Sequence, residues 1–256
     1  MIDFHSHIVF GVDDGARNID ESVKMIIEAE KAGFTDIIFT PHYMEGYYEV
    51  SKNEISKRIE LLKNEINNNN LQINLHQGNE VYITNNMGSL ISEKRISTAN
   101  GSKYVLFETP MRDEPINLLQ VVYQILEEKK VPIIAHPERY LYIQDNPNLV
   151  YELIQDSGVL FQSNYGSLVG IYGKSAQRTL SLLLKHNMIH FMGSDVHRPN
   201  SIYPIIDDAI TQLKKIIPDY KISELTYGNA LKVLNNENIE IEEPSAVQKN
   251  IFGKFI

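Results

Sequence analysis

The chain has 256 residues, and its 24 Lys and Arg against 33 Asp and Glu give a formal net charge of −9. An acidic chain without a long basic run lacks the composition of a protein that neutralises nucleic-acid phosphates, so no nucleic-acid partner is predicted. The absence of cysteine excludes disulfides and any phosphatase or protease that uses a Cys nucleophile.

The length is typical of one α/β barrel, so residues 1–256 are predicted to form a single domain. No apolar run approaches the roughly 18 residues of a membrane span, and the N-terminus lacks the pattern of a signal peptide. We therefore expect a cytoplasmic protein without membrane insertion, whose oligomeric state the sequence leaves open. The tail from about residue 237 to residue 256 either packs on the barrel or contacts another chain.

Seven short apolar runs rich in Ile, Val and Phe predict strands that are buried on both faces. Each run is followed by a helical pattern, as expected for parallel strands joined by helices. In chain order the predicted strands are Met1–Phe4, Asp36–Thr40, Leu71–Leu75 continuing toward Glu80, Tyr104–Phe107, Val131–Ala135, Val159–Gln162 and Met188–Met192.

Helix caps and stops mark the segments between these strands. Asp20 is expected to cap the first helix, while Gly33 and Gly158 follow the ends of the first and fourth helices. Strands that alternate with helices favour a closed α/β barrel over an open doubly wound sheet. The predicted helices are Glu21–Lys31, Asn53–Asn67, Ile116–Lys130, Pro147–Gln155, Ser175–Lys185, Ile205–Lys215 and Leu225–Leu234.

Histidines and acids stand at or just past the ends of the predicted strands. His5 and His7 are two residues apart, so the period of a strand turns both imidazoles to one face. Asp195 and His197 form a second pair of this kind after the last strand. In a parallel barrel, the loops at the carboxyl ends of the strands form the active site. These residues from distant parts of the chain are therefore expected to lie close together in one active site.

His, Asp and Glu are ordinary ligands of divalent metals, so we expect a metal-dependent hydrolase. In the segment Gly11–Gly15, proximity to His5 and His7 indicates that one of the two acids is a further ligand, and Asp14 is favoured over Asp13. About nine ligands exceed the needs of one ion and indicate two or three. The predicted ligands are His5, His7, Asp14, His42, Glu80, Glu108, His136, Asp195 and His197.

Other histidines and tyrosines are less distinctive. His76, His186 and His190 are left out of the predicted site on the grounds of their distance along the strand, helical position and strand parity, respectively. Three tyrosines follow the second predicted strand and form either an aromatic rim beside the predicted site or part of a solvated loop. They are Tyr43, Tyr47 and Tyr48.

These motifs resemble the polymerase and histidinol phosphatase (PHP) superfamily, and within it the bacterial tyrosine-protein phosphatases of the CpsB/YwqE type from capsule and exopolysaccharide loci. The His-x-His of residues 5–7 and the Asp-x-His of residues 195–197 occur throughout the superfamily. The segments Gly11–Gly15 and His136–Arg139 together are more specific to the phosphatases. The matching segments are Asp3-Phe4-His5-Ser6-His7, Gly11-Val12-Asp13-Asp14-Gly15, Thr40-Pro41-His42, Gly78-Asn79-Glu80, Glu108, His136-Pro137-Glu138-Arg139 and Ser194-Asp195-Val196-His197.

The resemblance implies a distorted (β/α)7 TIM-like barrel with two or three divalent ions, with Mn²⁺ as the first choice and Fe, Mg or Zn as alternatives. It also implies hydrolysis of phosphotyrosine on a partner bacterial tyrosine kinase, in capsule or exopolysaccharide regulation. The ligand sets that it implies are His5, His7, Glu80 and Asp195 for one ion, Glu80, Glu108 and His136 for a second, and Asp14, His42 and His197 for a third.

Arginines complete the implied site. The resemblance assigns phosphate binding to Arg139, whose planar fork suits that role, although a surface ion pair is the alternative. Arg198 is held as a second phosphate contact, and either a metal-bound water or the region of Asp14 is expected to supply the proton for the leaving group. A metal-activated water is expected to take the place of the missing Cys nucleophile.

Several other functions compete with this interpretation. Another PHP phosphoesterase, such as a histidinol-phosphate phosphatase or a nuclease, shares the ligand pattern, although the acidic charge speaks against the nuclease. A deaminase or amidase on an eight-stranded barrel also begins with His-x-His, but its usual bridging lysine has no evident counterpart here. A non-catalytic regulator of a kinase is the third alternative.

Overall fold

The computed structural model describes residues 1–250 together with Gly253 and Phe255. Every strand pair in this part of the chain is parallel. None of its helices is long and apolar enough to cross a membrane. The strands are β1 (Ile2–Ser6), β2 (Asp36–Phe39), β3 (His42–Tyr43), β4 (Asn74–Gln77), β5 (Glu80–Tyr82), β6 (Tyr104–Glu108), β7 (Val131–Ala135), β8 (Leu160–Asn164) and β9 (Phe191–Gly193).

These strands form the seven staves of a distorted barrel, because β2 continues into β3 and β4 continues into β5. Hydrogen bonding divides the strands into two sheets. A three-stranded sheet has the order β1, β2, β4, and a six-stranded sheet has the order β3, β5, β6, β7, β8, β9. The ring closes between the first and last staves, where the backbone N–H of His7 donates to the carbonyl of Val196 at 3.0 Å. The predicted α/β barrel is therefore confirmed.

The predicted third strand is interrupted, so the expectation of a run from Leu71 toward Glu80 was wrong in its details. The strand begins only at Asn74 and breaks at Gly78 and Asn79. At the break the Asn79 side chain donates to the carbonyl of Pro41 at 3.0 Å and accepts from the backbone N–H of Ser97 at 2.8 Å. The third predicted strand is therefore present as two segments, β4 and β5.

The helices surround the barrel, and most of the predicted ones are present. Asn18 rather than Asp20 caps α1, because its side chain accepts from the backbone N–H of Glu21 at 3.0 Å. The helices are α1 (Ile19–Lys31), α2 (Lys52–Asn68), α3 (Met87–Ser92), α4 (Leu118–Glu127), α5 (Leu141–Asp145), α6 (Asn148–Ser157), α7 (Tyr165–Leu168), α8 (Lys174–Lys185), α9 (Ile206–Leu213), α10 (Asp219–Ser223) and α11 (Asn229–Leu234).

Several helix boundaries differ from the prediction. The helix predicted at 116–130 is trimmed to α4, and the one predicted at 225–234 begins with a π-helical turn over 224–228 before α11. Four short helices, α3, α5, α7 and α10, were not predicted, because elements of four to six residues carry too little hydrophobic periodicity.

Apolar and polar layers divide the barrel interior. A small cluster that includes Phe4, Leu106 and Phe191 fills one end, where the rings of Phe4 and Phe191 stack with centroids 4.1 Å apart. The large apolar cluster lies between the sheet and the surrounding helices. The carboxyl ends of the strands are left to buried polar groups, and this division positions the site.

The described part of the tail packs back on the barrel. Asn148 and Val247 exchange two hydrogen bonds, at 2.7 and 3.1 Å, and the backbone N–H of Ser245 donates to the carbonyl of His186 at 3.1 Å. Of the two alternatives for this tail, packing on the barrel therefore holds for the described residues. The tail residues Ile251, Phe252, Lys254 and Ile256 lie outside them.

Candidate metal centre

The nine predicted ligands converge at the carboxyl ends of the strands. The side chains of His5, His7 and Glu80 are completely buried, whereas that of Asp14 is 54% exposed. The cluster therefore runs from an enclosed floor to an open mouth. Its members are His5, His7, Asp14, His42, Glu80, Glu108, His136, Asp195 and His197.

The carboxylate of Glu80 lies at the centre of the cluster. Its Oε2 atom is 3.2 Å from Nε2 of His5, 3.3 Å from Nε2 of His7 and 3.0 Å from Nδ1 of His42. Its Oε1 atom is 3.0 Å from Nε2 of His136. Although Oε2 is buried, it makes no well-directed hydrogen bond within the described residues. An oxygen surrounded by ring nitrogens without hydrogen-bond geometry is the arrangement that a bridging ligand requires.

A second part of the cluster faces the mouth. Oδ1 of Asp14 is 3.4 Å from Nε2 of His197 and 3.6 Å from Nε2 of His42. The Nδ1 atom of His42 also lies 3.1 Å from Glu108 Oε1, so this imidazole stands between two groups of carboxylates. Oε2 of Glu108 is 4.0 Å from His136.

The donor atoms fit a site for more than one divalent ion. Three groups of nitrogen and oxygen atoms each lie within 4.8 Å of one another, and they share His7, His42 and Glu80. Imidazole and carboxylate donors suit Mn, Fe, Zn and, with more oxygen, Mg. The groups are His5, His7 and Glu80; His42, Glu80 and Glu108; and His7, Asp14, His42 and His197.

Two members of the cluster have a backbone conformation that is uncommon for residues other than glycine. His136 has φ 34° and Asp195 has φ 52°, both in the left-handed region. His136 directly follows β7 and Asp195 is the second residue after β9, so in each case the turn redirects the side chain into the mouth. Such strain is held by surrounding packing and concentrates at functional sites.

Mutual attraction between acids and imidazoles shifts the pKa values of the cluster. Burial disfavours the charged form of Glu80, but the imidazoles of His5 and His42 outweigh it and hold its pKa well below the usual range. Burial likewise disfavours charged His42, yet Glu80 and Glu108 raise its pKa to about 12. The carboxylates are therefore anionic, and a cation is favoured among them.

Asp195 divides its carboxylate between the cluster and an arginine. Oδ1 lies 3.5 Å from Nε2 of His7, while Oδ2 accepts from Nη1 of Arg139 at 2.7 Å and from Nδ2 of Asn164 at 2.7 Å. Burial opposes its ionisation, but neighbouring imidazoles lower its pKa to about 2. Arg139 therefore lies at the rim of the cluster, bonded to one of its carboxylates.

Arg198 has a different environment. Its guanidinium donates to the backbone carbonyls of Asp14 and His197, both at 2.7 Å, and also to that of Gly15. These bonds tie the loop of Asp14 to the loop of His197. Its role as a phosphate contact stays a prediction.

Sequence reasoning missed the residues that hold the cluster in place. Gln162 accepts from Nδ1 of His5 at 2.7 Å, Asp13 accepts from Nδ1 of His7 at 2.8 Å, and Asn164 bonds Asp195. Gln162 and Asn164 alternate at the end of β8, the one predicted strand to which no site residue had been assigned. That alternation of polar residues was an available signal.

Asp3 was quoted in the first motif without a role of its own. Its carboxylate accepts from the backbone N–H and the hydroxyl of Ser194, at 2.8 and 2.6 Å, and from the Tyr203 hydroxyl at 2.7 Å. These bonds fasten the end of β9 to β1. Asp3 thus holds two ligand-bearing strands together from below.

The tyrosines after β2 do not form one rim. Tyr43 is buried, and its hydroxyl accepts from Nη2 of Arg95 at 2.8 Å. The ring of Tyr48 stacks on His42 with centroids 5.9 Å apart, and Tyr47 is 81% exposed. Only Tyr48 is therefore placed directly beside the cluster.

The three excluded histidines have partners elsewhere. His76 bonds Asp36 at 2.8 Å, His186 bonds Ser245 in the tail at 2.9 Å, and Nδ1 of His190 accepts from the backbone N–H of Phe161 at 3.0 Å. All three bonds lie away from the strand ends that carry the cluster.

The sequence of the chain matches a known protein family. Residues 1–235 match the family described as Capsular polysaccharide synthesis, CpsB/CapC. The chain belongs to this family. CapC from Staphylococcus aureus is 33% identical over 259 residues, which cover 99% of this chain and 99% of the relative. The tyrosine-protein phosphatase YwqE from Bacillus subtilis is 31% identical, with 100% of both chains covered.

A solved structure of the CpsB/CapC family is also similar. It comes from the crystal structures of YwqE from B. subtilis and CpsB from Streptococcus pneumoniae, described as unique metal-dependent tyrosine phosphatases. The TM-score is 0.90 with 29% identity, covering 97% of this chain and 100% of that chain. The predicted family and distorted barrel are both confirmed by this agreement.

Proposed function

We propose that this member of the CpsB/CapC family is a metal-dependent phosphomonoesterase that hydrolyses phosphotyrosine. The observation that carries the proposal is the convergence of imidazoles and carboxylates on Oε2 of Glu80, with Arg139 beside them. The metal-dependent tyrosine phosphatase activity of the YwqE and CpsB relatives supports it. Residues 1–256 act together as one domain, since the relatives match almost the entire chain.

The proposed cofactor is two or three divalent ions, with Mn²⁺ first among them. The donor groups described above support three sets of ligands, of which two share Glu80 and the third is joined to them through His7 and His42. Asp195 joins the set of His5 and His7, and His136 joins that of Glu108. Ions held there supply a Lewis acid for phosphoryl oxygens and acidify a water molecule.

The side chains of the chain itself bind and orient the substrate. Arg139 neutralises a phosphoryl oxygen with the N–H groups that Asp195 leaves available. A hydrogen bond from His197 lowers the pKa of Asp14, which favours a ligand role for Asp14 over proton donation. A tyrosine leaving group has a pKa near 10 and therefore needs less help from a proton donor than an alkyl alcohol does.

The proposed substrate is phosphotyrosine on a partner bacterial tyrosine kinase, in the regulation of capsule or exopolysaccharide synthesis. The family description supports the connection with capsule synthesis. Because kinases form phosphotyrosine from cytoplasmic ATP, the cytoplasm is the proposed location. The alternative, another PHP phosphoesterase such as a histidinol-phosphate phosphatase, has no observation of its own in its favour.

Metal analysis combined with substrate assays tests the proposal. The purified protein is expected to carry divalent ions and to hydrolyse p-nitrophenyl phosphate and a phosphotyrosine peptide faster than histidinol phosphate. The variant His136→Ala is expected to lose at least a hundredfold in kcat/KM, because it removes a ligand beside Glu80. His186→Ala, whose imidazole bonds the tail, serves as the matched control. Full activity of His136→Ala, or preference for histidinol phosphate, would contradict the proposal.

A further inference from the structure

Arg139 is held on two sides. Its Cζ atom lies 4.4 Å from the centroid of the Tyr172 ring, and its Nη1 atom bonds Asp195 at 2.7 Å. Within the described residues, its guanidinium makes no other hydrogen bond, so its remaining N–H groups are available to a ligand. A guanidinium stacked on an aromatic face loses rotational freedom before it binds anything.

Tyr172 is itself fixed against the backbone. It lies in the short connection between α7 and α8, where Gly170 and Gly173 both have positive φ and are joined by a hydrogen bond of 3.0 Å. A Cβ atom on Gly166 would come within 2.9 Å of the Tyr172 ring. The absence of a side chain on Gly166 therefore makes room for the ring.

The stacking continues into a chain of contacts among four side chains, Tyr172, Arg139, Asp195 and Asn164. The side-chain amide of Asn164 donates to Oδ2 of Asp195, the same oxygen that accepts from Arg139. Burial raises the pKa of the Tyr172 phenol, so the ring stays neutral beside the carboxylate. The guanidinium of Arg139 is therefore fixed by a ring face on one side and by a carboxylate that Asn164 also holds on the other.

We infer that Tyr172 is a positioning residue for phosphate binding and acts through Arg139. The inference rests on the proposed phosphatase function and deepens it, since the motifs assign a role to Arg139 but none to Tyr172. The aromatic face keeps the guanidinium fork at the mouth of the cluster, where its free N–H groups meet a phosphoryl oxygen. The ring face is sufficient for this, so phenylalanine can replace tyrosine.

Substitutions that separate the ring from the hydroxyl test the inference. Tyr172→Leu is expected to raise both KM for p-nitrophenyl phosphate and the inhibition constant of inorganic phosphate roughly tenfold, with a smaller change in kcat. Tyr172→Phe is expected to keep both values within about threefold of the original. Metal content is expected to stay the same in both variants. Tyr220→Leu, at an exposed tyrosine far from the cluster, is the matched control.

A double-mutant cycle shows whether Tyr172 acts through Arg139. In an Arg139→Ala background, Tyr172→Leu is expected to have no further effect on KM or phosphate inhibition. A second variant, Gly166→Ala, is expected to displace the ring and to raise KM as Tyr172→Leu does. An unchanged KM in Tyr172→Leu, or an equal loss without Arg139, would overturn the inference.

Failure of the proposed function would give a different result. In that case the unsubstituted protein hydrolyses no phosphomonoester. Calorimetry can still compare the affinities of the Tyr172→Leu variant and the unsubstituted protein for inorganic phosphate. Tenfold weaker phosphate binding in the variant supports the positioning role even then, and equal binding overturns it.

Discussion

The Nε2 atoms of His5 and His7 face each other at 3.1 Å, and both are buried. The Nδ1 atoms of the two rings are engaged with Gln162 Oε1 and Asp13 Oδ2, which can only accept, so these bonds assign the Nδ1 protons. Two lone pairs therefore point at one another in the neutral rings. A cation between them relieves that contact, and the outer partners aim the rings at it.

Asp13 is expected to control metal affinity without being a ligand. Asp13→Ala removes the acceptor of His7 and that of the His42 backbone N–H, so the affinity for Mn²⁺ is expected to fall roughly 10- to 100-fold. Competition with a chromophoric chelator measures the change. Asp113→Ala, in an exposed loop, is the control. Equal affinity in Asp13→Ala would show that the imidazole needs no such orientation.

Divalent ions are expected to stabilise the fold through Glu80. At a free Mn²⁺ concentration of 100 times Kd, the free energy of unfolding is expected to rise by about 2.7 kcal/mol. Glu80→Gln removes the carboxylate that two donor groups share, so its stabilisation by Mn²⁺ is expected to be largely lost. Thermal unfolding with and without chelator measures both effects, with the exposed Glu60→Gln as control. A full metal-dependent shift in Glu80→Gln would exclude its proposed bridging role.

Buried His190 is expected to make the fold sensitive to acid. Burial, and next the charge of Lys221, lower its pKa to about 3 from an ordinary value of 6.5. Between these values the unfolded chain binds more protons, so stability falls as the pH falls, by up to about 1.4 kcal/mol per pH unit. Lys221 in turn forms an ion pair with Glu242 at 2.8 Å. Both charges remain in place in the variant described next.

His190→Asn isolates this contribution because its side-chain oxygen can accept from Phe161 but does not titrate. Urea unfolding of both proteins between pH 7 and pH 4 is the measurement. The original protein is expected to lose more stability than the variant over this range. Parallel curves for the two proteins would show that His190 does not carry the effect.

Asn18 and Asp20 are expected to differ in their effect on stability, because only Asn18 caps α1. Asn18→Ala removes the acceptor for the Glu21 N–H and is expected to lower the free energy of unfolding by about 1 kcal/mol. Asp20→Ala leaves that bond intact and is expected to cost less. Urea denaturation at neutral pH compares the two, and a larger loss for Asp20→Ala would reverse the assignment of the cap.

Residues with a local signature could be predicted from the sequence. A parallel strand buried on both faces is an apolar run, so the staves were recognisable. The spacing of His5 and His7 follows from the two-residue period of a strand, and their rings do face each other. Apart from Asp14, the predicted ligands that come together stand at or shortly after the end of such a run.

The remaining features depend on partners far away in the chain. The break at Gly78 and Asn79 depends on a bond from Asn79 to Pro41, 38 residues earlier. Gln162 supports His5 across 157 residues, and no local pattern specifies that contact. The different partners of Asp13 and Asp14 also depend on the fold, since Asp13 bonds His7 whereas Asp14 lies beside His197.

The closure of the ring between β1 and the segment after β9 has a consequence for biosynthesis. Donor atoms come from both sides of this seam, since His7 bonds Val196 beside His197. A nascent polypeptide therefore cannot assemble the complete ion-binding constellation until residue 197 has left the ribosome. Ion uptake is expected to accompany this late, long-range step rather than early collapse. A bound ion is therefore a marker of chains whose barrel has closed.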